Sequence, residues 1–481
     1  MNDNGPHPVS QAASGVRLLP TLCNLPTANI PMTDFAHTQL AAEEQNLDPY
    51  WMPFTHNRYF KRTRPLNRML ASARGAYYTT VEGQKLFDGL SGLWCCGLGH
   101  GDPRITEAVK AQLDRADYIP HFQLANTETF RLAERIAELA PGDLNRVFFT
   151  SSGSESVDTA LKIALGYHRL RGEASRTRFI GRERGYHGVG FGGISVGGMV
   201  ANRKMFASAM LPGVDHLPHT HNLSQMAFSR GQPSWGAHLA DELERLVTLH
   251  DASTIAAVIV EPMQGSVGVI IPPLGYLQKL RQICDKHGIL LIFDEVICGF
   301  GRMGDWFGAQ AFGVTPDLIT FAKGVNNGTV PMGGVIAKQS IYDAFMQGPD
   351  YAVELFHGYT YSGHPLAVAA AHATLDVLQS DAVPQRFVEL GKLLEEGVQS
   401  LKGEPNVIDT RNFAAAAAFE MAPMEGKPGL RAIRLFEEVL TRGQLVRFTG
   451  DTIALAPPVI STESEIQQLF EGLRASIRAV A

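Results

Sequence analysis

The chain has 481 residues, 45% of them hydrophobic and 19% charged, with a formal net charge of −6. That balance is ordinary for a globular enzyme or binding protein and excludes a strongly basic surface for nucleic acid or anionic membrane. No run of about 18 apolar residues is present to span a bilayer. The cysteines Cys23, Cys95, Cys96, Cys284 and Cys298 form no C-x-x-C pair, so they read as buried thiols of a reducing, cytoplasmic protein rather than a disulfide framework.

In chain order, positions 1–35 are rich in Asn, Pro, Ser and Ala and lack the basic segment and apolar core of a secretory signal. A mobile arm is expected there, with Met32 as an alternative start. Ala76–Gly89 reads as a hairpin turning at Glu82-Gly83. Short apolar strands are expected at Arg146–Phe149, Arg178–Ile180, Ile255–Val260, Ile289–Phe293, Leu318–Phe321 and Gly334–Ala337. Helical patterns lie between several of them, at Glu155–Leu170, Gly236–His250 and Tyr276–His287, the last stopped by Gly288. Continuous apolar strands alternating with helices predict an α/β fold, a mostly parallel sheet covered on both faces. From about Phe387 a helix, strands around Val407–Phe419 and Leu445–Leu455, and a last helix from Glu463 predict a smaller α+β unit. The run Ala414–Ala418 reads as packed strand. The expected division is 1–35 arm, 36–85 a segment joining the small domain, 86–360 large domain, and 361–481 interdomain helix and small domain.

Three short motifs carry little. Gly299-Phe-Gly301-Arg-Met-Gly304 matches the dinucleotide fingerprint, but five residues separate it from its strand and no helix opens after it. Gly193-Ile-Ser195-Val-Gly197 matches the hydrolase elbow inside a glycine-rich stretch, where a flexible loop is expected. His216, His219 and His221 lack a partner Cys or acid at finger spacing and read as solvated loop histidines, so no metal is expected.

Three other features answer one another. The apolar run Ile289–Phe293 delivers Asp294 and Glu295 to the carboxyl end of a strand, where ligands of doubly wound sheets bind. Thr150-Ser-Ser-Gly153-Ser154-Glu-Ser156 joins a strand to a helix and offers amide and hydroxyl donors to an anion. Lys323 ends the apolar run Leu318–Ala322, where desolvation lowers an amine's pKa and suits it to bonding an aldehyde. Phosphate cradle, carboxylate and amine at one sheet edge are what pyridoxal 5′-phosphate (PLP) requires. An acid about 3 Å from the pyridine nitrogen contributes about 5 kcal/mol gross at an effective dielectric near 20, enough to keep that nitrogen protonated.

The segments FFTSSGSES, RGYHG, VEPMQGSVGV, IFDEVICGFGR, FAKGV and HGYTYSGHP, in this order, resemble the class III (omega) aminotransferases of PLP fold type I. LDPYWMPFTHNRYF, LSGLWCCGLGHG, MLPGVDHLPHT and VRFTGDT narrow the likeness to the β-alanine–pyruvate aminotransferases. The resemblance implies that Lys323 bonds the cofactor and then moves protons, and that Asp294 pairs with the ring nitrogen with Val296 behind the ring. It implies further that Gly153 and Ser154 hold the phosphate, Tyr186 stacks on the ring and Glu261 lies beside it, and Thr360 reaches the phosphate from a partner subunit, so a homodimer or dimer of dimers is expected. Trp94, Phe54 and Phe122 would line the substrate pocket, and Arg447 would bind the carboxylate of a keto acid. The implied reaction is ping-pong transfer of an amino group from an omega-amino acid or amine to pyruvate. A same-fold aminomutase or decarboxylase shares Lys323 and Asp294 and stays open at this point.

Overall fold

The computed structural model describes residues 45–481, so the expected arm, Met32 and Cys23 lie outside the described residues. These fall into two compact units, 45–65 and Leu66–Ala481. The first contains the helix Asn57–Thr63, which stops at Arg64 in the left-handed region (φ 44°). Its entry is fixed by Asn57, whose side chain donates to the Met52 carbonyl at 2.8 Å and accepts from the Met52 amide at 2.9 Å. Phe54 belongs to this unit, exposed and at positive φ.

The second unit contains strands β1 (Leu70–Arg74), β2 (Tyr77–Thr80), β3 (Lys85–Asp88), β4 (Leu144–Thr150), β5 (Arg178–Arg182), β6 (Val214–Leu217), β7 (Ile255–Val260) and β8 (Leu290–Asp294). They continue with β9 (Leu318–Ala322), β10 (Gly333–Lys338), β11 (Val407–Phe413), β12 (Ala416–Met421), β13 (Gln444–Leu445), β14 (Arg447–Thr449) and β15 (Thr452–Leu455). Seven form the central sheet in the order β4-β10-β9-β8-β7-β5-β6. Within it β6, β5, β7, β8 and β9 run parallel, while β10 is antiparallel to both β9 and β4. Two reversals restore direction, so β4 ends at the same edge as β5, β7, β8 and β9.

The near-continuous Val, Ile, Leu and Phe of β7, β8 and β9 are buried at every position, as expected of strands covered on both faces. The helix Tyr276–His287 ends at Gly288, whose φ of +63° lets the amides of Gly288 and Ile289 turn back to the Asp285 and Cys284 carbonyls. The hairpin turning at Glu82-Gly83 is present as β2–β3. The smaller four-stranded sheet, β11-β12-β15-β14, is covered by the helix Val383–Gln399, which buries Val383, Phe387, Leu390, Leu394 and Val398 at three- and four-residue spacing.

Several local expectations are corrected. Only Ala416–Ala418 of the alanine run is strand; Ala414 sits in the turn between β11 and β12 at φ 43°. Positions 236–250 form a 3₁₀ turn followed by the helix Glu242–His250 rather than one helix. The GFGGISVG stretch is not a loop: Phe191–Val196 is a short helix with Ser195 fully buried. Its hydroxyl donates to the Phe191 carbonyl at 2.6 Å and accepts from the Leu211 amide at 2.8 Å. Two of the three histidines are held by protein partners rather than by solvent. His216 lies in β6 against the Gly197 carbonyl, and His221 is buried on Glu420 at 3.1 Å. Asp409 joins that cluster, but the Arg411 guanidinium already binds both carboxylates, leaving an internal ion-pair group. Glycine-rich positions 299–304 form turns, and the next helix is the four-residue Gly308–Ala311, so no dinucleotide helix opens there.

Candidate active site

Loops leaving the carboxyl ends of β4, β5, β7, β8 and β9 converge on one cavity of about 130 Å³. Each supplies a different chemistry, and all seven of Gly153, Ser154, Tyr186, Glu261, Asp294, Val296 and Lys323 lie in its wall.

Asp294 and Glu295 part company at the tip of β8. Asp294 Oδ1 accepts from the Thr320 hydroxyl on the paired position of β9 at 3.1 Å and from the Val296 amide at 3.2 Å. Its Oδ2 is 2.8 Å from Nδ1 of His187, a ring with no exposed side-chain surface. Glu295 turns the other way and accepts from the amides of Gly308 and Ala309, capping the Gly308–Ala311 helix. Burial raises the Glu295 carboxyl to about 8, against the lowering effect of those amides.

Lys323 follows β9 directly, at φ 47°, a conformation that costs a non-glycine residue about 1 kcal/mol and that collects at functional sites. Burial lowers its amine pKa; the carboxylate of Asp294 works in the opposite direction without cancelling the effect. Glu261, after β7, accepts from the amides of Tyr186 at 2.9 Å and Gly265 at 3.3 Å. Burial is the main reason its carboxyl rises to about 7; the nearby His187 lowers it and Asp294 raises it further.

At the end of β4, Ser152 caps the helix Gly153–Leu170 by accepting from the Glu155 amide at 3.2 Å, and Glu155 accepts from the Ser151 amide at 2.7 Å. Ser154 Oγ accepts from the Val189 amide at 3.1 Å, tying this helix end to the β5 loop.

A phosphorylated pyridine aldehyde fits these residues. The first amides of an 18-residue helix have no acceptor within the helix and carry its partial positive charge, which is an anion site at Gly153 and Ser154. The backbone approaches closely where such a group must sit. A Cβ at Gly153 would lie 3.0 Å from both methyls of Val296, and one at Gly188, with φ +84°, would lie 2.4 Å from Ser154 Oγ. His187 Nε2 is buried with no hydrogen-bond partner among the described residues.

Other expected residues lie elsewhere. Arg447 stands on β14, exposed, and no ion pair to it is present among the described residues. Its charge nevertheless acts on both Lys323 and Tyr186. Trp94 is buried in a neighbouring small cavity that shares Ile297 with the first. Phe122 is exposed and packs on Gly358. Thr360 is exposed, its carbonyl accepting from the Tyr118 hydroxyl at 3.0 Å, and is not in the cavity wall. Sequence reasoning missed His187 and Thr320. Both carried a signal: a histidine beside Tyr186 in RGYHG, and a lone hydroxyl inside the apolar strand LITFA.

The same architecture is found in an amine transaminase from an uncultivated Pseudomonas species in its PLP-bound form. That chain is 36% identical with a TM-score of 0.83, over 90% of this chain and 99% of that one. The fold is therefore that of the α/β PLP-dependent enzymes of fold type I. The family model for class-III aminotransferases matches residues 59–477, and the chain belongs to that family of PLP-dependent transaminases. It is 56% identical to an omega-aminotransferase of Caulobacter vibrioides over 429 residues, 89% of this chain and 97% of that one. It is 50% identical to a beta-alanine–pyruvate aminotransferase of Pseudomonas aeruginosa, over 92% and 98%.

Proposed function

We propose that this aminotransferase moves an amino group from an omega-amino acid such as β-alanine, or from a related amine, to pyruvate, releasing alanine. The observation that carries the reading is Arg447, exposed on the edge strand of the smaller sheet and with no carboxylate partner among the described residues. An omega-amine donor brings no carboxylate to its reacting carbon, whereas a keto acid does. An exposed arginine free to engage the second and leave the first serves both half-reactions.

Gly153 and Ser154 would hold the phosphate of PLP, and Tyr186 and Val296 would pack against its ring. Bound there, PLP supplies an aldehyde that links covalently to amines and a conjugated ring that accepts the electron pair released when the neighbouring C–H bond breaks. Lys323 would be the residue that bonds the aldehyde when no donor amine is present. Its Nζ would also take up and return the proton that moves during the transfer. Asp294 keeps the ring nitrogen protonated, and the His187 and Thr320 hydrogen bonds hold its carboxylate in place. Glu261 positions Tyr186 through its backbone amide. In this reading 86–360 is the cofactor domain and 361–481 contributes the smaller domain, Trp94 and Phe122 shape the substrate pocket, and Thr360 completes the phosphate site of a partner subunit in a homodimer.

The test is a donor panel with pyruvate, scored for alanine and for the carbonyl product. β-Alanine and simple omega-amines are expected to give both in equal amounts; donor consumed with no alanine formed would contradict the reading and indicate an aminomutase or decarboxylase. Arg447→Ala is expected to raise KM for pyruvate about 10- to 100-fold, the loss of a charged hydrogen-bonded pair, while changing KM for an uncharged amine donor little. Equal changes for both would remove the role given to Arg447.

A further inference from the structure

Cys95 and Cys96 are adjacent in sequence, yet their sulfurs are 3.7 Å apart. Neighbouring side chains normally diverge, so the backbone must be bent to bring them together. The turn supplies the bend. Ser91 and Trp94 have φ of 52° and 68°, and the amides of Cys95 and Cys96 both donate to the single Ser91 carbonyl at 3.0 Å. The turn is strapped from below by Asp88, which accepts from the amides of Leu90 at 3.1 Å and Gly92 at 2.6 Å.

Two glycines make room around the pair. A Cβ at Gly92 would lie 3.4 and 3.5 Å from the sulfurs of Cys95 and Cys96, and one at Gly328 would lie 3.1 and 3.5 Å from them. Both thiols are half-buried, unlike Cys284 and Cys298, which are fully buried. The expectation of buried thiols is corrected at this pair. Cys95 also borders the small cavity that contains Trp94 and Gly324, the residue after Lys323.

We propose that Cys95 and Cys96 form a reversible redox-modification site, oxidised by hydroperoxides to a disulfide between adjacent residues, and that closing this bond impairs the active site through Trp94. The sulfurs must approach from 3.7 Å to about 2.05 Å, a change that the turn carrying Trp94 has to absorb. In the first step the Cys95 thiolate attacks one peroxide oxygen. The O–O bond breaks, hydroxide leaves and is protonated to water, and Cys95 becomes a sulfenic acid. The Cys96 sulfur then attacks that sulfur, the S–O bond breaks, and the hydroxyl departs as water with the Cys96 proton. Two thiols lose two electrons and one hydrogen peroxide becomes two waters. The hydrogen bond from Cys96 lowers the Cys95 pKa and raises that of Cys96, so one member is the ready nucleophile and the other keeps its proton for the second step.

Trypsin releases both residues in the peptide 86–104, which contains no other cysteine. The PLP-loaded enzyme is treated with hydrogen peroxide, alkylated and mapped by mass. That peptide is expected to lose two hydrogens and resist alkylation, with turnover falling at least about twofold, and dithiothreitol is expected to reverse both changes. Cys96→Ser should instead give a sulfenic acid at Cys95 that dimedone traps, and Cys95→Ser should lose no turnover relative to its own untreated value. Thiols at 95 and 96 that remain fully alkylatable would overturn the site. A fully formed disulfide with unchanged turnover would overturn its coupling to the active site.

Discussion

Asp294 and Glu295 are chemically similar neighbours, both buried, and β8 sends one to the cavity and the other to a helix end. Asp294 is the last residue of β8 and Glu295 the first beyond it, where consecutive side chains still leave in opposite directions. The partners then fix what each acid does. Asp294 faces a histidine, a hydroxyl and an amide, all suited to a carboxylate that must stay charged and still. For Lys323 the sign of the pH effect follows from its surroundings. Burial lowers its amine pKa below the ordinary 10.5, so the neutral nucleophile is populated at lower pH than in an exposed lysine. The rate at which apoenzyme captures PLP should therefore rise with pH and level off below that value. Asp294 holds the amine pKa up, so Asp294→Asn should move the plateau to lower pH while reducing turnover at least about 100-fold. Stopped-flow absorbance against pH checks the first effect, and an unmoved plateau would contradict the coupling. At this scale the sequence was legible where a residue type contradicted its setting, as with a lysine or an acid ending an apolar strand. His187 stands beside Tyr186 in RGYHG, but that neighbour alone assigns it no role; its meaning lies in an aspartate 107 positions away.

The elements matter through their ends. Five strands of one polarity bring their carboxyl ends, and the N-terminus of the helix Gly153–Leu170, to one edge, which is how segments from Gly153 to Lys323 share a cavity. The β5 loop must pass close enough to that helix for the Val189 amide to reach Ser154, and Gly188 permits it. Gly188→Ala should weaken PLP binding about 10- to 100-fold, since a methyl 2.4 Å from Ser154 Oγ forces the cradle apart. Gly172→Ala provides the contrast. Its φ is also left-handed, at +81°, but nothing lies within 4 Å, so it should lose a little stability and no PLP affinity. Titration of apoenzyme with PLP separates the two, and equal affinities would contradict the close-approach argument. The parallel strands were readable because buried strands show continuous apolar runs. The Phe191–Val196 helix was not, because its glycines lower helix propensity and tertiary packing alone fixes it. The buried histidines were hidden for a related reason: Glu420, which pairs with His221, is 199 positions away.

At the scale of the whole molecule, Tyr351 and Phe356 are 90% and 92% exposed, on the same stretch of chain as Thr360. Exposed large aromatics are common where a surface meets another chain, which accords with the proposed homodimer in which Thr360 serves the neighbouring subunit. A complementation experiment addresses this. Lys323→Ala and Thr360→Glu variants are each expected to be nearly inactive, the second by setting a negative charge against the phosphate. Mixed and reassorted, they should recover up to about one quarter of wild-type activity, because half of the dimers are hybrids and each hybrid has one intact site. No recovery from verified hybrids would contradict the shared site. No helix among the described residues is long and apolar enough to cross a membrane. The central claim is that one amine, Lys323, bonds the cofactor beside Asp294. Borohydride reduction of the PLP-loaded enzyme followed by tryptic mapping tests it directly. The account predicts a phosphopyridoxyl label on Lys323, in a peptide spanning 303–338 because the labelled lysine resists cleavage. A label on any other lysine, or none on this one, would contradict it.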